Sequence, residues 1–140
     1  MRYLLDTTVL IDHINGFPPG TGILARLFEQ SAELFTCDVV ACESLSRGDA
    51  EERRLVRSLL DALEYVATGP DAARWAGERR RECIARGVRK PAVADALIAG
   101  LGWQLGATVV TRNARDFESF GLPVLGYDPP PAAAAAGVNN

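Results

Sequence analysis

Four carboxylates stand where the chain should pass between strand and helix, and they are spread almost end to end: Asp6, Glu43, Asp95 and Asp116. Each lies beside an apolar run, where a purely structural domain has little use for a charge. Carboxylates brought together from distant parts of a chain repel one another, so a fold that gathers them usually holds a cation there. An oxygen-rich site of this kind suits Mg²⁺ or Mn²⁺. The four acids therefore predict a metal site.

A single acid beside a helix has a simpler explanation, which is a helix cap or a surface charge. That explanation suits the remaining turn and helix-end aspartates, namely Asp38, Asp49, Asp61 and Asp71. It suits Asp6 and Asp95 badly, because both have apolar neighbours on either side. Glu43 is intermediate, and Asp116 also fits a turn residue. Taken together, the four acids favour the metal site.

Short apolar segments alternate with helical patterns along the chain. Strands are predicted at residues 2–6, 34–37, 64–67, 107–111 and 122–125. Helices are predicted between them, and no hairpin signal is present, so we expect an α/β domain with a parallel sheet. Function gathers at the carboxyl ends of the strands in such a sheet. Asp6 ends the first strand, and Asp116 follows the fourth.

Length and composition indicate one soluble globular domain in a chain of 140 residues. We assign residues 1–126 to this domain and residues 127–140 to a Pro/Ala-rich C-terminal tail. No apolar run is long enough to cross a bilayer, and no signal peptide is evident. Cys37, Cys42 and Cys83 are odd in number and lack CxxC spacing, so we expect buried thiols in a reducing, cytoplasmic setting.

The net charge of −3 argues at first against a nucleic-acid partner, yet the basic residues are clustered. All but one of the 15 basic residues are arginine, whose planar guanidinium suits phosphate. Seven of them lie between residues 74 and 90. Glutamates lie close enough in the sequence to pair with these arginines, so a solvent-exposed, charged helix face is the simpler interpretation of the cluster. The cluster would bear on function only if it flanked the acidic site.

The acidic residues lie in motifs that resemble those of a known family. Residues 4–12, Leu-Leu-Asp-Thr-Thr-Val-Leu-Ile-Asp, are similar to the opening of a PIN domain. The other motifs of that family follow in order: Glu43 with Gly48, then the Asp-Ala-Leu-Ile-Ala run at 95–99, then Thr-Arg-Asn at 111–113 with Asp-Phe at 116–117. Among PIN domains, this compact form resembles the VapC toxins of bacterial type II toxin–antitoxin modules. The resemblance covers residues 1 to about 126.

The resemblance implies a PIN-like three-layer α/β fold, in which helices flank a short parallel central sheet. It also implies a Mg²⁺-dependent endoribonuclease, with Mn²⁺ as a possible substitute, that cleaves transfer or ribosomal RNA with metal-activated water. The implied catalytic residues are Asp6, Glu43, Asp95 and Asp116, of which Asp6, Asp95 and Asp116 would bind metal. The implied supporting positions are Thr8, Thr111 and Asn113. Several relatives carry a further aspartate where this chain has Asn113, so Asp116 is expected to be the acid that this loop contributes.

Relatives in the toxin group form homodimers and are neutralised by a small antitoxin of the VapB type. We expect the same partners here. The candidate groove for the antitoxin lies on the helix that carries Ile23, Leu24, Leu27 and Phe28. Asp12 lies six residues beyond Asp6, nearly two helical turns away, and is expected to be exposed. The alternative function is a non-catalytic PIN-like module that binds RNA or protein.

Overall fold

The computed structural model describes residues 1–87 and 90–128. Its five strands form one sheet, in which every neighbouring pair is parallel. The strands are β1 (Arg2–Leu5), β2 (Glu33–Cys37), β3 (Glu64–Val66), β4 (Thr108–Thr111) and β5 (Val124–Gly126). The helices of the described ranges are α1 (Thr7–Ile14), α2 (Pro18–Glu29), α3 (Asp38–Leu45), α4 (Ala50–Asp61), α5 (Pro70–Ala85), α6 (Val93–Leu105) and α7 (Ala114–Glu118). The predicted α/β class, parallel sheet and five strands are confirmed.

The strand order is β3-β2-β1-β4-β5. The chain therefore adds β2 and β3 on one side of β1, and then crosses back to add β4 and β5 on the other side. Right-handed crossovers then require α1–α4 on one face of the sheet and α5–α7 on the other. The packing agrees, because α1 contacts α2, α3 and α4, whereas α6 contacts α5 and α7. The order reverses between β1 and β4, and ligand sites in open parallel sheets form at such a point.

The central strands are apolar along their length because both of their faces are covered. Leu4 and Leu5 of β1, with Val109 and Val110 of β4, have no exposed surface. This is the pattern of parallel strands between two helical layers. In the described part of the chain, no helix is long and apolar enough to span a membrane.

The cysteines and the C-terminal boundary refine the sequence-based picture. Cys37 and Cys83 are buried as predicted, but Cys42 is exposed, because it lies on the outer side of α3. The domain boundary after residue 126 stays a prediction, and residues 129–140 of the predicted tail lie outside the described residues. Tyr127, the first residue of that tail, packs against the core.

Close packing against α5 fixes the position of α6, the helix that carries Asp95 in its first turn. These two helices make the most extensive contact between elements of the fold. Gly100 of α6 faces the backbone of Ala72 in α5, and a Cβ atom at Gly100 would overlap the Ala72 carbonyl oxygen. The absence of a side chain at Gly100 therefore permits the close approach of the two helices.

Gly100→Ala should destabilise the fold by about 1–3 kcal/mol, because the added methyl group meets backbone that cannot rotate away. Gly77→Ala is the matched control, since Gly77 lies in α5 and a Cβ atom there would meet nothing within 4 Å. That change should stabilise by about 0.5–1 kcal/mol through helix propensity. Urea unfolding of both variants measures the difference. Equal stability of the two variants would contradict the close-packing interpretation.

Candidate active site

Asp6 lies at the centre of the site, at the carboxyl end of β1. The pairing of Leu5 with Val110 continues one step further, where the Asp6 amide donates to the Val110 carbonyl at 2.9 Å. This register places Asp6 beside Thr111, 105 positions away in the chain. The Asp6 side chain is only 4% exposed. The hydroxyls of Thr111 and Thr8 donate to its Oδ2 atom at 2.8 and 3.0 Å.

The same two hydroxyls also hold the loop that follows β4. The Arg112 amide donates to Thr8 Oγ1 at 3.1 Å, and the Asn113 amide donates to Thr111 Oγ1 at 2.9 Å. Each threonine therefore accepts from the loop backbone and donates to Asp6. The start of the loop that leads to Asp116 is thereby attached to the end of β1.

Glu43 adds a second negative charge near Asp6. It lies on α3, and its Oε1 atom accepts a hydrogen bond from Thr7 Oγ1 at 2.8 Å. Burial raises the pKa of Asp6 above its ordinary value, and repulsion from Glu43 raises it further, while the bonds from Thr111 and Thr8 act in the opposite direction. An ionised Asp6 is thus costly in this environment, and a nearby cation would relieve the cost.

Asp95 and Asp116 lie together on the other side of the site. Asp95 is in the first turn of α6 and Asp116 is in α7, and both line a cavity of about 290 Å³. Glu43 lines another cavity, of about 390 Å³, with Val93 and Ala94 from the same end of α6. The structure thus gives two pairs of acids: Asp6 with Glu43, which repel each other, and Asp95 with Asp116, which line one cavity. Asn113 stands beside Asp116, where both line a third cavity of about 670 Å³.

The donor chemistry of this site fits a hard divalent cation, since the four acids offer carboxylate oxygens and Asp6 already experiences repulsion from Glu43. The side chains are not gathered into a preformed cage. Across residues 1–87 and 90–128, no three Asp, Glu, His or Cys side chains lie close enough to hold an ion together as they stand. An ion that contacts three of them requires the side chains to rotate towards it.

Asp12 was expected to be exposed, and that prediction is wrong. Its carboxylate is fully buried and accepts hydrogen bonds from Arg112 Nη1 and from the Tyr127 hydroxyl, both at 2.7 Å. Gly20 of α2 covers it so closely that a Cβ atom there would lie 2.8 Å from Asp12 Cβ. Asp12 does lie six residues beyond Asp6, but it is covered by side chains 100 and 115 positions further along the chain. No local pattern reveals such partners.

The apolar groove predicted on α2 also needs correction. Ile23, Leu24 and Leu27 are buried in the core and face inward, so they are not available to a partner. Phe28 differs, with 46% of its surface exposed. It lines a cavity of about 450 Å³ with residues of α1, of α4 and of the position just after α4: His13, Ile14, Leu55, Ser58, Leu59 and Ala62. The accessible apolar surface next to α2 therefore lies where Phe28 meets α1 and α4.

Asp6→Asn should raise the melting temperature by a few degrees at pH 7 in metal-free buffer. Below the ordinary aspartate pKa of 3.8, Asp6 is neutral in folded and unfolded chains alike. As pH rises through the higher folded-state pKa, the wild type loses stability that the variant keeps. Thermal unfolding from pH 3 to pH 8 in EDTA should show that the difference in melting temperature between Asp6→Asn and wild type grows as the pH rises. An exposed control, Asp61→Asn, should show little change, and a variant less stable than wild type at pH 7 would disprove the electrostatic cost.

Arg112→Gln should destabilise the fold by about 3 kcal/mol, because it leaves the buried Asp12 carboxylate without its cation. Tyr127→Phe removes one neutral donor to the same carboxylate and should cost about 1–2 kcal/mol. Arg26→Gln, on the exposed side of α2, is the control and should stay within about 0.5 kcal/mol of wild type. Denaturant unfolding measures all three. An Arg112→Gln protein as stable as Arg26→Gln would show that the ion pair contributes nothing.

Comparison with known proteins agrees with this architecture. A family model described as PIN domain matches residues 3–121. The Ribonuclease VapC19 of Mycobacterium tuberculosis is 29% identical over 119 residues, which cover 84% of this chain and 93% of that protein.

Solved structures of low sequence identity share the fold. VapBC2 from Rickettsia felis, bound to a DNA fragment from its promoter, has a TM-score of 0.79 at 24% identity and covers 91% of this chain and 100% of that chain. DNA-bound VapBC from Salmonella typhimurium has a TM-score of 0.77 at 24% identity, with 90% and 98% covered. A toxin–antitoxin complex from Klebsiella pneumoniae has a TM-score of 0.73 at 22% identity, with 91% and 99% covered. With its motifs, its sheet order and a family match across most of its length, this chain belongs to the PIN domain family.

Proposed function

We propose that the protein is an endoribonuclease toxin of a type II toxin–antitoxin module. The single observation that carries the proposal is the Asp6 carboxylate, which is buried against Thr8 and Thr111 at the carboxyl end of β1 and is repelled by Glu43. A binding module gains nothing from negative charge facing an RNA phosphate. Membership in the PIN family and similarity to the Ribonuclease VapC19 support the same activity.

The residues proposed to hold Mg²⁺ or Mn²⁺ are Asp6, Asp95 and Asp116, with Glu43 as the fourth acid of the catalytic set. A divalent ion bound there would lower the pKa of a coordinated water and offset charge on the phosphate. Thr8 and Thr111 keep Oδ2 of Asp6 in a defined orientation. Thr7 does the same for Glu43 through its 2.8 Å hydrogen bond. Asn113 stands beside Asp116, where it can position a water or the RNA.

Histidine is not required as the base in this proposal. His13, the single histidine of the chain, lines the cavity beside Phe28, which contains none of the four acids. Hydrolysis by an activated water is therefore favoured over attack by the ribose 2′-hydroxyl, which commonly depends on a histidine base. We expect products with 5′-phosphate and 3′-hydroxyl ends.

The proposed partners are a VapB-type antitoxin and a second copy of the chain. The solved neighbours from Rickettsia felis and Salmonella typhimurium are VapBC structures. The cavity lined by Phe28, Leu55 and Leu59 is the best candidate for an apolar segment of the antitoxin. A basic side chain of the antitoxin reaching the four carboxylates would block catalysis by replacing the charge of the ion.

Purified protein with Mg²⁺ or Mn²⁺ should cut total cellular RNA at discrete positions, detected by mapping new 5′ ends. Asp6→Ala and Asp95→Asn should each reduce cutting at least 100-fold, because each removes a proposed metal ligand. Asp61→Asn, purified identically, should retain wild-type activity, and EDTA should abolish all cuts. Cuts that persist in both site variants would indicate contamination.

The same preparations distinguish catalysis from simple binding. If the protein is a nuclease, Mn²⁺ should raise the melting temperature of wild type and of Asp61→Asn, and should raise it less in Asp95→Asn. An absence of cuts together with an absence of metal stabilisation would favour the non-catalytic PIN-like binding module.

A further inference from the structure

Two cavities meet at α7, and they share its first turn. The smaller, of about 290 Å³, lies between α5, α6 and α7. The larger, of about 670 Å³, lies between α7 and the end of β5. Arg115 and Asp116 line both. Asp116, one of the proposed metal ligands, therefore lies between the two cavities and is part of the wall of each.

Positive charge gathers in the smaller cavity. Arg80 of α5, Lys90 before α6 and Arg115 of α7 all line it, together with Asp95 and Asp116. These cations come from two helices and the segment before a third, so their convergence is a product of the fold. The cations of the larger cavity are Arg112 and Arg115, and Arg112 is already paired with the buried Asp12. The two openings thus differ in the positive charge that they can offer to a ligand.

Arg80 is held in a defined position. Its Nε atom donates to the Pro91 carbonyl at 2.9 Å, and its side chain is half-buried. A guanidinium carries five N–H donors in a planar fork, and this bond uses one of them. The remaining Nη donors can form the paired hydrogen bonds with phosphate oxygens for which arginine is suited. Lys90 is exposed and adds a second positive charge.

We propose that Arg80, Lys90 and Arg115 form a phosphate subsite that binds the RNA backbone next to the phosphate that is cleaved. The inference rests on the proposed nuclease function, since Asp95 and Asp116 mark the position of cleavage. The cleaved phosphate would be held through the ion at the carboxylates, whereas its neighbour contacts the cations directly. RNA is favoured over an acidic peptide because a phosphodiester strand on these cations would continue to Asp95 and Asp116, where the proposed nuclease cuts.

The test measures binding apart from cutting. A fluorescein-labelled, single-stranded 12-nucleotide RNA of mixed sequence is titrated with protein in EDTA, and anisotropy gives the Kd at several salt concentrations. Arg80→Gln and Lys90→Gln should each weaken binding about 3- to 10-fold. Each should also lower the slope of log K against log salt by about 0.7, the value for one lost phosphate contact on a single strand. Arg80→Lys should recover part of the loss.

Arg74→Gln is the matched control, because Arg74 lies on the same helix but outside the cavity and pairs with Asp71. It should bind like wild type. The subsite is disproved if Arg80→Gln and Lys90→Gln bind as Arg74→Gln does, or if wild type shows no binding. It is also disproved if poly-glutamate displaces the labelled RNA as well as unlabelled RNA does, which would assign the cations to an acidic protein. Lys90→Gln keeps the test decisive if Arg80→Gln fails to fold, since Lys90 is exposed.

Cleavage assays on the same proteins separate this proposal from the nuclease itself. Discrete, EDTA-sensitive cuts by wild type, with unchanged RNA affinity in both cavity variants, would retain the nuclease and reject the subsite. If the nuclease activity and the phosphate subsite are both correct, Arg80→Gln should raise KM more than it lowers kcat. The reason is that a contact remote from the reacting atoms is made equally in the ground and transition states.

Discussion

The pairing of β1 with β4 is the constraint on which the site depends. The strand order reverses at this pair, so the first strand of the chain lies beside a strand more than 100 positions later. That adjacency brings Asp6 to the Thr111 hydroxyl and the Thr8 hydroxyl to the Arg112 amide. Helix α3 then supplies Glu43, whose repulsion raises the pKa of Asp6. A shift of β4 by one residue would turn Thr111 away from Asp6 and separate these groups.

The site carries an electrostatic cost that the surrounding structure must offset. Asp6 is buried close to Glu43, and both effects raise its pKa. Two threonine hydroxyls compensate in part, and they also fasten the loop after β4, so one pair of side chains orients the acid and shapes the loop. The part of this unfavourable free energy that the threonines do not offset destabilises the folded protein. Functional sites often carry such a cost, and here a bound cation would relieve it.

The strands and helices could be predicted from the sequence because each apolar run has a clear length and boundary. Asp6 and Asp116 could be placed after strands because a charged residue next to an apolar run is easy to recognise. The environment of Asp12 could not be predicted, because its burial depends on Arg112 and Tyr127, which no local pattern connects to it. On α2, the helical period identified an apolar face, but periodicity alone does not distinguish a face that enters the core from one that receives a partner. Only Phe28 lies on the accessible side.

Net charge was the least informative property of the sequence for function. The value of −3 averages over a surface whose charges are separated by the fold. Arg74 and Arg80 lie on the same helix, yet Arg74 pairs with Asp71 in solvent while Arg80 reaches Pro91 and the cavity of Asp95 and Asp116. The difference arises from the close packing of α5 on α6 at Gly100, which brings one side of α5 to the acidic site. A polyanion that approaches this cavity would interact mainly with the cations and acids that line it. The more distant carboxylates, which make the net charge of the protein negative, would be screened by salt.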